Sequence, residues 1–237
     1  RGSSPRRLGN RPPLFRGDVM VAPYYQDDHV TLYHGDCREI LPGLRGDVVL
    51  TDPPYGIGLG YDEYNDTTDG LDELIRDVFP LMLAAAPVVA LTPGIANVWR
   101  YPPARWMLCW NQASAGSSAT GNWGFNQWQP ILVYGTDPYL KRCLGRHPDV
   151  VSVGAFVPSS HRSKHPCPKP IEAWRKILMR VSPAEGETVI DPFAGSGTTL
   201  DVAKYTGRKA IGIELSERYC EIAAVRLGQE VLDFGEA

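Results

Sequence analysis

Two short stretches carry side chains that can do chemistry. The first is Asp52-Pro53-Pro54-Tyr55. It sets a carboxylate, a stiff backbone and an aromatic ring side by side. Pro53 and Pro54 have no N–H to donate, so their carbonyls offer only acceptors. An amino group can give one hydrogen to the Asp52 carboxylate and the other to the Pro53 carbonyl. That draws the nitrogen lone pair out of conjugation and aims it at an electrophile. Tyr55 can stack on a planar base, and stacking with edge hydrogen bonds is how an extruded base is held.

The second stretch is Val189-Ile190-Asp191-Pro192-Phe193-Ala194-Gly195-Ser196-Gly197-Thr198-Thr199. It reads as strand, tight turn and helix start. The glycines admit a ligand close to the backbone, and the unpaired N–H groups of the helix start carry partial positive charge. Glu214 ends the next apolar run, where a carboxylate can receive both hydroxyls of a ribose. A dinucleotide turn wants a third glycine, but that position is Leu200. Asp191 disfavours a phosphate and favours an ammonium. A cofactor with adenosine at one end and an amino acid at the other fits, and S-adenosylmethionine is such a molecule. Its sulfonium supplies an electrophilic methyl, and the rate would come largely from aligning nitrogen and methyl.

The elements that position these stretches are short apolar runs alternating with helical spacing. VTLYH from Val30, DVVL ending before Thr51, VVAL within 87–94, WMLCW (106–110), PILVYG (130–135), TVID from Thr188 and KAIGIEL (209–215) read as strands. Leu71 to Ala86 has helical spacing broken or kinked by Pro80; Pro170 to Arg180 and the segment from Ser216 read as further helices. Such alternation predicts an α/β fold with a mostly parallel sheet. Ligands then collect at the carboxyl ends of strands, where both stretches fall. Residues 56–70 and 113–127 read as long Gly-rich loops, a length that inside a compact domain is usually functional. Six acids (Asp62, Glu63, Asp66, Asp69, Asp72 and Glu73) follow the first stretch closely. Six like charges there repel a polyanion unless they face away, so the loop reads as a lid.

With both stretches in view, the chain resembles the beta-class amino-methyltransferases of DNA, the N6-adenine and N4-cytosine enzymes, over roughly residues 29–227. The resemblance implies a Rossmann-like, seven-stranded, mostly parallel sheet with circularly permuted motif order, since DPPY precedes FAGSG. It implies S-adenosylmethionine as cofactor and double-stranded DNA as partner. It places Asp36, in LYHGD, on the cofactor adenine. It puts Asp191, Phe193, Ala194, Gly195, Ser196 and Gly197 around methionine, Thr198 and Thr199 near its carboxylate, and Glu214 on the ribose. Lys169, in HPCPKP (165–170), resembles the segment leading into the cofactor half. Asp52, Pro53, Pro54 and Tyr55 would form the target site. Asp at the head of the tetrapeptide resembles the adenine-N6 enzymes, whereas many cytosine-N4 enzymes carry Ser there. Cytosine N4, an RNA and a protein amide remain alternatives. So do a dinucleotide oxidoreductase, against which Leu200 and DPPY argue, and a DNA-binding protein without catalysis, against which the intact tetrapeptide argues.

The remaining features bound these expectations. The chain has 237 residues, with 43% hydrophobic and 22% charged, which excludes a wholly disordered chain and allows one domain. No apolar run is long enough to span a membrane, and no basic-then-apolar leader opens the sequence. With five scattered cysteines and no CxxC pair, this predicts a reducing cytoplasm, and the resemblance implies that of a bacterial or phage-infected cell. Net charge is −3, so a polyanion would need a local basic face. Residues 141–176 supply one, with eight basic residues against two acids. Residues 1–28 read as a basic N-terminal arm with the composition of a disordered segment. The domain follows over 29–237, with a small recognition insertion near 136–165. Larger relatives carry more there, so a second subunit is one source of the missing surface. Cys143, His147, His161, His165 and Cys167 match no zinc spacing, so no metal is expected. Trp106, Trp110 and Trp174 read as core, and Trp123 and Trp128 as nucleic-acid contacts.

Overall fold

A computed structural model describes residues 14–16, 19–58, 64, 66–112, 120–121, 124–152 and 170–229. The strands, in chain order, begin with a hairpin of β1 (Leu14–Arg16) and β2 (Val19–Val21), then β3 (Tyr25–Gln26) and β4 (Val30–His34). Next come β5 (Val48–Thr51), β6 (Val88–Leu91) and β7 (Trp106–Asn111). A small hairpin joins β8 (Thr120–Gly121) and β9 (Gly124–Phe125) before β10 (Trp128–Gly135) and β11 (Val150–Ser152). Last are β12 (Thr188–Asp191) and β13 (Lys209–Glu214). The helices are α1 (Cys37–Ile40), α2 (Thr68–Ala85), α3 (Pro138–Lys141), α4 (Ile171–Val181), α5 (Thr198–Tyr205) and α6 (Glu217–Gly228).

One sheet holds the order β11-β7-β10-β6-β5-β12-β13-β4-β3. Its seven inner strands, β7 to β4, are the expected set; β3 and β11 add a short strand at each edge. Only β10 and β3 run against the rest. The inner strands are apolar at nearly every position because helices cover both faces. Successive residues alternate faces: Val48 and Leu50 pack with Trp174, Ile177 and Leu200 under α4, α5 and α6, while Val49 packs with Leu74, Val78 and Met82 of α2.

Central to the site is the neighbouring of β5 and β12, which pair Val48 with Val189 and Val49 with Ile190. From β5 the chain moves on to β6 on one side, and from β12 to β13 on the other. That is a topological switch point, where strand ends leave a crevice.

Two expectations change. Helix α2 runs from Thr68 to Ala85 through Pro80, which is exposed. The ordered domain begins before residue 29: Tyr25 and Gln26 pair with β4, and Asp27 accepts from Lys204 Nζ at 2.6 Å. After the reversed strand β10 ends at the amino-terminal edge of the sheet, the chain returns beside β7 along β11, with Ser152 paired to Asn111 at the crevice end. Tyr139, between β10 and β11, donates to the Met179 carbonyl at the end of α4 (2.9 Å).

Candidate active site

DPPY leaves β5 and DPFAGSG leaves β12, so the two stretches open on the same crevice. A direct bond joins them. The Thr51 hydroxyl, one residue before the tetrapeptide, donates to Asp191 Oδ1 at 2.5 Å across 140 positions of chain.

On the DPPY side, one oxygen of Asp52 is held twice. Its Oδ1 accepts from the Tyr55 hydroxyl at 2.5 Å and from the Thr92 hydroxyl. Thr92 is buried and stands just past the end of β6, with its N–H on the Thr51 carbonyl. Asn97, also buried, donates to the carbonyls of Tyr55 (2.8 Å) and Pro93 (3.2 Å). Tyr55 is thus fixed at its hydroxyl and at its backbone, and its ring lies over Gly94. Asp66 closes the turn that follows, accepting from Gly56 N (2.7 Å) and Ile57 N (3.2 Å). That buried acid is spent on the turn and is not turned toward DNA. Asp72 binds Arg100 at 2.8 Å. Asp62 and Glu63 lie outside the described residues. Asp52, Pro54 and Tyr55 keep partial exposure, and Pro53 is buried.

On the glycine side, Gly195 N donates to Glu214 Oε2 (2.7 Å) and Ser216 N to Glu214 Oε1 (2.9 Å). The carboxylate thereby stands against the turn. Gly197 has φ +79°, and a Cβ there would come within 2.9 Å of Ala223 Cβ on α6. The helix–strand approach expected of a third glycine is made from the other partner. Leu200 is fully buried on Gly212 of β13, where a Cβ would meet Leu200 Cδ1 at 2.6 Å. Arg226 of α6 ties the turn from below, donating to the Ser196 carbonyl (3.1 Å) and Thr198 Oγ1 (2.9 Å).

Asp191 is 2% exposed and lies beneath the turn rather than on its surface. Burial drives its carboxyl up to about 6, from 3.8. Hydrogen bonds from Thr199, Thr51 and Phe193 N pull the other way, and the nearby Asp52 charge adds to the rise. Thr199 in turn accepts from the Trp174 indole at 2.8 Å. Asp36 caps α1 and is bidentate with Arg38 Nε at 3.1 and 3.0 Å. Its strand end is tied to β13 by Gly35 N on the Glu214 carbonyl (2.9 Å). Lys169 and the HPCPKP segment lie outside the described residues, although Pro170 begins α4 at the crevice edge.

The residues around Glu214 suit a nucleoside. A carboxylate has about four acceptor sites, so two backbone N–H groups do not exhaust it. Ser216 Oγ, beside it, is buried without a hydrogen-bond partner among the described residues, a polar atom suited to a sugar hydroxyl.

Elsewhere, in the described part of the basic stretch, Arg142 binds Glu187, Arg175 binds Glu172 at 2.8 Å, and Lys176 donates to the Ser152 carbonyl; Arg162, Lys164 and Lys169 lie outside the described residues. Trp110 and Trp174 are core, but Trp106 is 61% exposed and bonds Asp149. Trp128 is partly exposed at the crevice edge, and Trp123 lies outside the described residues. Of the cysteine–histidine set, His147 stacks on Tyr139 and Cys143 sits exposed in a turn; the others lie outside the described residues. No described helix is long and apolar enough to cross a membrane.

Thr51, Thr92, Asn97, Asp66, Ser216 and Arg226 escaped the sequence reading. Thr92 and Asn97 had a usable signal, since they follow an apolar strand at its carboxyl end. Asp66 and Arg226 had none, because their partners, backbone groups and for Arg226 also Thr198 Oγ1, are brought near only by the fold.

Comparison with known proteins agrees with this geometry. Residues 95–225, more than half of the chain, match the N6_N4_Mtase model, described as DNA methylase. The Type II methyltransferase M.ScaI of Streptomyces caespitosus is 30% identical over 261 residues, covering 90% of this chain and 86% of the relative. Among solved structures, the M1.HpyAVI–SAM complex aligns with TM-score 0.63 at 21% identity, over 84% of this chain and 100% of that one. The PvuII DNA methyltransferase (cytosine-N4-specific) aligns with TM-score 0.61 at 17% identity, over 89% and 90%. The chain therefore belongs to the N6/N4 family of DNA methyltransferases, enzymes that draw their methyl group from S-adenosylmethionine.

Proposed function

We propose that this enzyme methylates the exocyclic N6 of adenine in double-stranded DNA by direct transfer to a base turned out of the helix. The observation that carries the reading is the carboxylate of Asp52, held by Tyr55 and Thr92 at the switch point, facing the glycine turn across the Thr51–Asp191 bond. The bound cofactor supplies an activated methyl on a sulfonium. Glu214 and the turn from Phe193 to Gly197 hold it, with Ser216 beside the sugar. Asp52 and the Pro53 carbonyl accept the two hydrogens of the amine, which directs its lone pair at the methyl. Asp52 would stabilise the positive charge that the amine nitrogen takes on when it accepts the methyl, in a partly desolvated pocket, and one N–H proton would then pass to solvent water. Tyr55 offers its ring to the base. A base within a duplex cannot reach these groups, so extrusion precedes transfer.

Asp at position 52 supports adenine over cytosine. The test is nucleoside mass spectrometry of plasmid DNA from a methylation-free host after incubation with the enzyme and S-adenosylmethionine. N6-methyladenine is the expected product, and N4-methylcytosine would overturn the base assignment.

A further inference from the structure

We infer that Thr92 is a positioning residue for the transfer, acting through Asp52. The inference rests on the proposed role of Asp52. The Thr92 hydroxyl donates to Asp52 Oδ1, the same oxygen that receives the Tyr55 hydroxyl. Two donors from two different segments fix one oxygen of the carboxylate, and hence the plane of the whole group. Tyr55 belongs to the same tetrapeptide and moves with it. Thr92 does not: it belongs to the segment after β6, and its N–H is anchored on the Thr51 carbonyl at 3.2 Å. It is 1% exposed, packed where its side chain has little freedom. Its β-branch restricts the torsion that aims the hydroxyl. The result is a fixed reference outside the tetrapeptide, against which the Asp52 carboxylate is set.

The chemistry needs such a reference. Asp52 must meet an N–H of the amine while the lone pair points along the line to the methyl. A misplacement of about 1 Å in such a geometry costs about 100-fold in rate. Asn97 does for the Tyr55 backbone what Thr92 does for the carboxylate, and both come from residues 92–97. This short segment therefore frames the target site from the β6 side.

The test compares Thr92→Val, Thr92→Ser and Asp52→Ala with the parent enzyme. Initial rates are measured with methyl-tritiated S-adenosylmethionine and plasmid DNA from a methylation-free host. Cofactor affinity is measured by calorimetry and stability by thermal melting. Thr92→Val keeps the shape and removes the hydroxyl. It should lower kcat by about 10- to 100-fold, with KM for DNA and cofactor affinity within about threefold of the parent. Thr92→Ser should restore kcat to within about threefold of the parent. A Thr92→Val enzyme with parental kcat overturns the inference, as does a loss that Thr92→Ser fails to restore. Should Thr92→Val not fold, Thr92→Ala takes its place under the same criteria. Asp52→Ala separates the two levels. If it turns over normally, the reading of the site itself falls. If it is inactive while Thr92→Val is unimpaired, only the role of Thr92 falls.

Discussion

Replacing Asp191 by Asn should stabilise the protein at neutral pH, with an effect that grows from pH 4 to pH 8. Asp191 is buried at the seam of the two functional stretches, and its carboxyl is pushed up to about 6 from 3.8. A carboxyl whose pKa is raised on folding holds its proton more tightly folded than unfolded. Below about 4 both states are protonated and the group costs nothing. As pH rises toward 6 the unfolded chain loses its proton first, so stability falls. Above about 6 the full cost is in place. A shift of about two units corresponds to about 3 kcal/mol. Asn has the same shape and no charge to bury, so its stability lacks this slope. Urea titrations of both proteins at pH 4, 6 and 8 give the difference directly, and carboxyls common to both cancel. The Asn variant should gain about 2.5 kcal/mol on the parent between pH 4 and pH 8. A difference that stays flat over that range would refute the claim that burial dominates at Asp191. A destabilising carboxylate at this place fits a site where stability is exchanged for function.

Asp52→Ala should abolish methyl transfer while leaving S-adenosylmethionine affinity, read by calorimetry, nearly unchanged; normal turnover would remove Asp52 from the reaction. Glu214→Ala should weaken cofactor binding by at least about tenfold, because it removes both the sugar's acceptor and the partner of Gly195 N and Ser216 N. Unchanged affinity in the same calorimetric assay would count against the ribose assignment. Gly197→Ala should cost about 2–4 kcal/mol in urea unfolding, from a left-handed backbone and a Cβ pressed on Ala223. Parental stability would show that the turn and α6 yield more readily than their packing indicates.

The layout was legible in the sequence because both functional stretches announce themselves locally. Apolar runs such as Val48–Thr51 and Thr188–Asp191 stop at prolines, and a parallel sheet places such ends on one edge. Their adjacency is a long-range matter, made by the pairing of β5 with β12. What the sequence concealed is the set of second partners. Thr51, Thr92 and Asn97 have ordinary residue types, and their roles arise only when the ends of β5, β6 and β12 meet. Pro80 reads as a break in the sequence, yet it sits on the exposed side of a helix whose apolar face packs on the sheet. Within the basic stretch, Arg142 is paired with Glu187, an acid that lies outside it in the sequence and meets it only in the fold. The described part of 136–165 leaves β10 at the edge away from the crevice and returns along β11, where Ser152 pairs with Asn111 at the crevice end of β7.

The most direct test is a crystal structure with S-adenosylhomocysteine. The account predicts that the sugar rests on Glu214, that the amino-acid end lies along residues 193–197, and that the sulfur faces the Asp52 carboxylate across the crevice between β5 and β12. A ligand seated elsewhere, or one whose sulfur points away from Asp52, would contradict it.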